Sequence, residues 1–345
     1  MRKVFFSKSK IITAAGSFLI ISFLLLSLGS CKFRTIEKVE DTREMMGTYV
    51  SIIVYSDRET GIRAIEDAFG EMEKIEALAS VYDENSEASF LNKNGYVDNP
   101  SADFLDLIET SIEFYEATDG CFDITVQPLL DLWSAGLWNE SEEVQAQKIG
   151  ETLEVIGSDK ITASSERIEF GMDGMAITLG GIAKGYAVDR AIEKIKEYGI
   201  RQCLVNAGGD IYTMGVKPDG ENWSVELESP DSIEDSENID TEPIVVFSVT
   251  DRAITTSGGY HRYYDEDKEA HHIMDPRSGY SANVCKSVTV IADSCTVADI
   301  LSTSIFVMGY ESGLALAGSL DNVEAYIIDS DGKIFESSGI SEYIK

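Results

Sequence analysis

Residues 179–214, LGGIAKGYAVDRAIEKIKEYGIRQCLVNAGGDIYTM, decide the fold because they contain one helix and two strands in succession. The segment opens on Gly180 and Gly181 and ends its helical part at Gly199. Between them the apolar residues recur at helical spacing: Ala187, Ala191, Ile192 and Ile195. Apolar runs over 203–206 and 211–214 flank a glycine turn. They predict two strands joined by that turn.

The rest of the chain mixes strands and helices. Strands are predicted over 47–55, 244–250 and 287–292, and a hairpin over 325–335 around Asp331-Gly332. Helices are predicted over 102–117, which Asp119 and Gly120 stop, over 297–307, and along the apolar stripe Ile62, Ile65, Phe69, Met72, Ile75 and Leu78. No regular βαβ alternation occurs, which favours an α+β fold over a doubly wound one. Residues 230–242 are acidic and predict a solvated loop without chemistry.

The N-terminus has the layout of an export signal. Basic residues precede an apolar run over 11–28, which closes on Leu28-Gly29-Ser30-Cys31. This ending resembles the lipobox of bacterial lipoproteins, in which the cysteine is acylated and becomes the mature N-terminus. We therefore expect a signal peptide over 1–30, a lipidated Cys31 followed by a polar linker over 31–44, and one domain over 45–345 on the extracytoplasmic face of the cell membrane. The alternative is a retained transmembrane helix, since 18 apolar residues are near the lower limit for a span.

The charge balance limits the possible partners. The chain carries 61 acidic and 28 basic residues, a formal net charge of −33. Without a basic stripe, nucleic acid is excluded as an expected partner. Because the net charge repels anions, an anionic ligand would need local positive groups, such as glycine-rich backbone N–H donors or a metal ion.

The cysteines beyond position 31 show no metal-binding spacing. They are Cys121, Cys203, Cys285 and Cys295, and none forms a C-x-x-C pair. This spacing predicts neither a zinc site nor a dense disulfide framework. The sequence leaves open whether one or two disulfides form outside the cytoplasm. The apolar run around Cys203 indicates that this cysteine is a small buried hydrophobic residue.

Several segments are more polar or richer in glycine than a core requires. They are 46–48, 179–185, 206–210, 256–258, 271–279 and 298–303. Asp299 and Thr303 are four residues apart, so on a helix they project from one face, and a carboxylate with hydroxyl oxygens suits Mg²⁺. All three histidines of the chain, His261, His271 and His272, lie within twelve residues. Taken singly, the glycines can be tight turns, Asp299 a helix N-terminal acid and the histidines turn residues.

Together these segments resemble the ApbE-type FAD:protein FMN transferases over almost the whole chain after Cys31. The resemblance rests on seven separated motifs in order: Met46-Gly47-Thr48, Ser80-Val81-Tyr82 with Ser86-Glu87, Phe122-Asp123-Ile124-Thr125-Val126 leading to Pro128-Leu129 and Trp133, 179–189, 206–210, Thr256-Ser257-Gly258 with 272–279, and Ala298-Asp299 with Ser302-Thr303. It implies an ApbE-like, T-fold-like α+β fold with an elongated FAD pocket and Mg²⁺ beside the pyrophosphate.

The resemblance also implies roles for single residues. Contacts to FAD fall on Met46, Tyr82, Cys121, Phe122, Asp123, Thr178, Lys184 and Ile273. Ligands of Mg²⁺ fall on Asp299, Ser302, Thr303 and the backbone carbonyl of Gly181. The catalytic base falls on His272 rather than His271, and the acceptor is a Thr or Ser hydroxyl of another flavoprotein. The chain departs from the family at Thr178, where Asp is common, and this puts FAD affinity or the choice of reaction in doubt.

Three other functions stay open at this point. A Mg²⁺-dependent FAD pyrophosphatase would use the same site with water in place of the acceptor hydroxyl. An FAD-binding lipoprotein without chemistry would need only the pocket. A generic solute-binding lipoprotein is disfavoured because the pattern contains no two βαβ lobes.

Overall fold

A computed structural model describes residues 35–230, 242–261, 263–265 and 270–345. The predicted signal peptide over 1–30, Cys31 and nearly all of the acidic segment predicted over 230–242 lie outside these residues. The strands are β1 (Glu37–Met45), β2 (Thr48–Ser56), β3 (Tyr96–Asp98), β4 (Ile161–Ala163), β5 (Arg167–Phe170), β6 (Cys203–Ala207), β7 (Asp210–Met214), β8 (Trp223–Leu227), β9 (Val245–Val249), β10 (Arg252–Gly258), β11 (Cys285–Ala292), β12 (Glu324–Asp329) and β13 (Ile334–Glu336).

The α-helices separate these strands in no repeating unit. They are α1 (Arg58–Ala79), α2 (Glu87–Asn94), α3 (Ala102–Ala117), α4 (Gln127–Ser134), α5 (Glu142–Leu153), α6 (Ala183–Glu197), α7 (Cys295–Met308) and α8 (Tyr310–Ser319). Every strand and helix predicted from the sequence within the described residues is present, with boundaries shifted by a few residues in most cases. The prediction of an α+β fold is confirmed.

An eight-stranded sheet organises the molecule. Its order is β1-β2-β6-β7-β10-β11-β12-β13, and all neighbouring strands are antiparallel. The main core lies on the face that α1, α6 and α7 cover, where Ile52, Phe69 and Phe306 are fully buried. A smaller core around Phe247 lies on the opposite face, beneath the two-stranded sheet of β8 and β9. The large sheet therefore has apolar side chains buried on both faces.

One boundary predicted from the sequence is wrong. Residues 31–44 were expected to be a linker, but Glu37–Met45 forms β1, which pairs with β2 along its whole length. The strand is polar because it lies at the edge of the sheet, and only Val39 and Met45 are buried. Charged side chains on an edge strand also discourage pairing with another chain.

Helices α6 and α7 pack closely at Gly185. A Cβ atom at this position would overlap the carbonyl oxygen of Cys295 and would lie 2.8 Å from the Cβ atom of Asp299. The start of α7 is held by Asp189 of α6, whose carboxylate accepts hydrogen bonds from the backbone N–H groups of Cys295 and Thr296, both at 2.8 Å. The glycine and the carboxylate together fix where the first turns of the two helices meet.

The four cysteines after position 31 are free and buried. Cys203 is fully buried in β6, as its apolar surroundings predicted, and burial raises the pKa of its thiol to about 12. Across the described ranges no disulfide forms. Within those ranges, too, no helix is both long and apolar enough to cross a bilayer.

Candidate active site

A cavity of about 610 Å³ opens where the β1–β2 turn, the β6–β7 turn, the end of β10 and the starts of α6 and α7 meet. Its wall contains twelve of the thirteen pocket residues expected from the sequence: Met46, Tyr82, Cys121, Phe122, Asp123, Thr178, Gly181, Lys184, His272, Ile273, Asp299 and Thr303. The thirteenth, Ser302, is fully buried, and its hydroxyl lies 2.7 Å from that of Ser257, which lines the cavity. The structure thus brings together residues that lie more than 250 positions apart in the chain. A volume of this size is typical of small-molecule and cofactor sites.

Two tight turns form one rim of the cavity. Met46 has a positive φ of 52°, and its backbone N–H donates to Glu76 Oε1 at 2.7 Å, which holds the β1–β2 turn onto α1. Gly208 of the β6–β7 turn has φ of 65° and lies so close to Thr48 that a Cβ atom would overlap the threonine hydroxyl. The second turn can approach the first only because position 208 has no side chain.

The segment around Asp123 forms a second wall. Asp123 Oδ1 accepts hydrogen bonds from the backbone N–H of Thr125 at 2.8 Å, from the Thr125 hydroxyl at 2.6 Å and from the Ser158 hydroxyl at 2.7 Å. Burial raises the pKa of this carboxyl, and these hydrogen bonds oppose the rise. Asp123 therefore anchors its own loop, and its Oδ1 atom is occupied within the protein.

Thr178 is tied to the same segment. Its backbone N–H donates to the Ile124 carbonyl at 2.7 Å, and its hydroxyl accepts from the backbone N–H of Gly180 at 3.3 Å. The threonine therefore shapes the Gly180-Gly181 turn that leads into α6. A neutral hydroxyl stands on the cavity wall where the family resemblance led us to look for an acid.

A cluster of oxygen atoms lies at the start of α7. Asp299 is 3% exposed and its Oδ2 accepts from the backbone N–H of Gly185 at 3.1 Å. The hydroxyl of Ser257, at the end of β10, lies 2.7 Å from that of Ser302 and 3.2 Å from that of Thr303. A Cβ atom on Gly181 would lie 3.5 Å from the Thr303 hydroxyl, so the glycine backbone reaches the same cluster.

This cluster suits a hard divalent cation. Burial and the nearby Asp210 carboxylate raise the pKa of Asp299, while Lys184 opposes the rise. A cation beside the carboxylate would favour its ionised form. Over the described ranges no three His, Cys, Asp or Glu side chains gather into a metal cluster. One carboxylate with hydroxyl and carbonyl oxygens fits the Mg²⁺ mode, in which waters and substrate phosphates complete the coordination.

Lys184 contributes a positively charged side chain to the cavity wall. It forms an ion pair with Asp210, whose side chain is 3% exposed. Burial acts to lower the pKa of the lysine, but attraction by Asp210 and then by Asp299 outweighs burial and raises it. The lysine therefore remains charged and can offset the charge of an anionic ligand.

The two adjacent histidines have different surroundings. His271 is 3% exposed; its Nε2 lies 3.1 Å from both the Ala282 carbonyl and Asn283 Oδ1, and its Nδ1 accepts from the backbone N–H of Ile273 at 3.2 Å. Because Nδ1 accepts, Nε2 carries the proton and the ring is neutral, and burial lowers its pKa. His272 is half-buried on the cavity wall. Of the pair, only His272 faces the space that a substrate would fill.

Asp210 and Ser257 were not singled out from the sequence as site residues. Both belong to segments noted for their polarity, 206–210 and 256–258. Nothing in the local pattern says that Asp210 reaches Lys184 or that Ser257 reaches α7. A rule that treated every polar side chain of those segments as a candidate would have found them.

The fold and site define an α+β protein with a cavity lined by a lysine, a buried carboxylate and a threonine hydroxyl. The family model described as "ApbE family" matches residues 46–327. The chain therefore belongs to the ApbE family. It is 28% identical over 335 residues to the FAD:protein FMN transferase of Haemophilus influenzae, covering 93% of this chain and 95% of that protein. It is 29% identical over 332 residues to the protein of the same name from Vibrio cholerae, covering 93% and 96%.

Solved structures show the same fold. The ApbE protein of Thermotoga maritima is 30% identical, with a TM-score of 0.78 over 90% of this chain and 100% of that one. The flavin transferase ApbE of Vibrio cholerae is 26% identical, with a TM-score of 0.73 over 90% of this chain and 100% of that one. The family match over residues 46–327 includes every residue that lines the cavity.

Proposed function

We propose that this protein is a Mg²⁺-dependent FAD:protein FMN transferase, which attaches FMN from FAD to a Thr or Ser hydroxyl of an acceptor protein and releases AMP. The observation that carries the proposal is the match, over nearly the full length of each chain, to relatives that bear the name FAD:protein FMN transferase. The cavity supports it, because its lining combines a charged lysine, an oxygen cluster and a histidine.

The chemistry needs a base for a weak nucleophile. A Thr or Ser hydroxyl is a poor nucleophile at neutral pH, so His272 takes its proton as the oxygen attacks the phosphorus on the FMN side. The bond between that phosphorus and the bridging oxygen breaks, and AMP leaves. The products are a phosphoester-linked flavoprotein and AMP.

The remaining residues position charge. Lys184 offsets phosphate charge, and the Gly180-Gly181 turn lines the cavity at the start of α6. Asp299, Thr303, Ser302 and the Gly181 carbonyl would hold Mg²⁺, which when bound neutralises charge that develops on the leaving phosphate. In this strongly acidic protein the local lysine and metal are what make the site attractive to a dinucleotide.

Anchoring by Cys31 belongs to the same proposal. The lipobox-like Leu28-Gly29-Ser30-Cys31 supports export and acylation, which would hold the enzyme on the extracytoplasmic face of the cell membrane near exported acceptors. The anchor would leave the domain that begins at β1 free to meet an acceptor flavoprotein.

The test is transfer to a defined acceptor. The chain without residues 1–31 is incubated with FAD, Mg²⁺ and a flavodomain that carries the acceptor hydroxyl, and with the same domain after Thr→Ala substitution at that hydroxyl. We expect a fluorescent covalent band and a mass increase equal to bound FMN only with the intact acceptor. Release of FMN and AMP with no labelled acceptor would make the protein a pyrophosphatase. FAD binding without either product would make it a flavin-binding lipoprotein.

A further inference from the structure

Lys184 pairs with one buried carboxylate, and the residue that follows it in the chain contacts a second. Its ammonium group pairs with Asp210 at the start of β7, and Asp299 of α7 also attracts it. Asp210 is 2% exposed and Asp299 is 3% exposed, and both line the cavity. The lysine is the residue before Gly185, whose backbone N–H donates to Asp299 at 3.1 Å, so the lysine lies next to the proposed cation ligand.

If Asp299 binds a cation, the two carboxylates have different partners: the cation for Asp299 and Lys184 for Asp210. A lysine ammonium that pairs with Asp299 would occupy the same oxygen atoms and carry the same sign of charge as the cation. Competition of this kind weakens cation binding because one carboxylate cannot satisfy both partners. The pairing with Asp210 leaves Asp299 without an ion-pair partner of its own among the described residues.

We propose that Asp210 is a positioning residue that holds Lys184 away from Asp299 and so keeps the cation site available. The proposal rests on the metal dependence of the proposed function. Asp210 touches neither the reacting atoms nor the cation in this scheme; it acts through the lysine. The β6–β7 turn positions Asp210, because Gly208 packs closely against Thr48 and Asp210 begins β7 two residues later.

The test is a double-mutant cycle with Mn²⁺ as the probe. Binding is titrated by the loss of the free Mn²⁺ electron paramagnetic resonance signal for the wild type, D210N, K184M and D210N/K184M, with and without FAD. We expect D210N to raise the Kd for Mn²⁺ about tenfold, a coupling common for contacting charged groups. In the K184M background the same substitution should change Kd by less than about threefold, since no lysine remains to be captured.

The cycle separates positioning from simple loss of charge. If removing one negative charge were the whole effect, D210N would weaken binding equally in both backgrounds, and that result would overturn the inference. D131N is the matched control, because Asp131 also lines the cavity but its carboxylate accepts from Gln127 at 2.7 Å instead of pairing with Lys184. We expect its Kd to stay within about twofold of the wild type.

The wild-type control separates failure of the proposed metal dependence from failure of the inference about Asp210. Circular dichroism checks each variant, and D210S replaces D210N if the amide cannot be accommodated at this buried position. A wild type that binds no Mn²⁺ with or without FAD would overturn the proposed metal dependence and this inference with it. A wild type that binds Mn²⁺ and catalyses transfer, with equal losses in both backgrounds, would overturn the inference alone.

Discussion

Replacement of each of the two adjacent histidines tests which one does chemistry. His272→Ala removes an imidazole from the cavity wall, and His271→Ala removes one from the protein interior. If His272 deprotonates the acceptor hydroxyl, its loss should slow transfer by about 10²- to 10⁴-fold, the usual contribution of a positioned base. Because His272 is half-buried, the free energy of unfolding should fall by no more than about 1 kcal/mol.

His271→Ala should show the opposite pattern. The substitution leaves the backbone N–H of Ile273 without its Nδ1 acceptor and the Ala282 carbonyl without its Nε2 donor. Each buried group left unpaired costs about 1–3 kcal/mol, and lost contact with Phe306 adds to this, so we expect about 3 kcal/mol of destabilisation. Transfer by the folded fraction should fall much less than in His272→Ala.

Single-turnover transfer at saturating FAD and urea unfolding, measured on both variants, decide the assignment. The wild-type single-turnover rate should also fall at acidic pH, where protonation removes an imidazole base. Near wild-type transfer by His272→Ala would refute the base assignment and leave metal-bound solvent or a carboxylate in that role. A His272→Ala variant that is strongly destabilised and no longer binds FAD would indicate a structural histidine.

Four further predictions address the metal, the packing, the pH dependence and the anchor. Asp299→Ala should abolish turnover and weaken Mg²⁺ binding in calorimetry with the circular dichroism spectrum retained; unchanged affinity would place the cation elsewhere. Gly185→Ala should lower the free energy of unfolding by about 2–3 kcal/mol in urea denaturation because its Cβ atom would meet α7, whereas Gly150→Ala, with nothing within 4 Å, should not destabilise. Burial lowers the pKa of His271 in the folded state. As the pH falls below the ordinary pKa of histidine, the unfolded state therefore binds the proton more readily, and the free energy of unfolding decreases. Urea denaturation above and below the ordinary pKa of histidine should show a smaller loss of stability on acidification for His271→Gln than for the wild type. An equal loss would exclude His271 as the cause of the pH dependence. Cys31→Ser should abolish palmitate labelling and yield a more soluble form; continued labelling would contradict the anchor.

Local patterns predicted the elements whose signals are contained within them. The helix predicted over 102–117 matches α3 at both ends because its start and stop are local: the Ser101 side chain accepts from the backbone N–H of Phe104 at 3.3 Å, and a turn at Gly120 follows. The edge strand β1 was missed because only two of its nine residues are buried, so it lacks the apolar alternation that signals a strand.

The sequence by itself determined the family, the α+β class and the set of segments that line the cavity, because motif order and hydrophobic periodicity are properties of the chain. Only the tertiary structure decided which side chains meet. Strand β2 pairs with β6 across about 150 residues of intervening chain, and this pairing sets the two turns of the cavity rim side by side. The pairing of Lys184 with Asp210 and the burial of His271 behind His272 likewise depend on long-range packing. The two histidines lie in an irregular segment, where no hydrophobic periodicity indicates which of them faces the core.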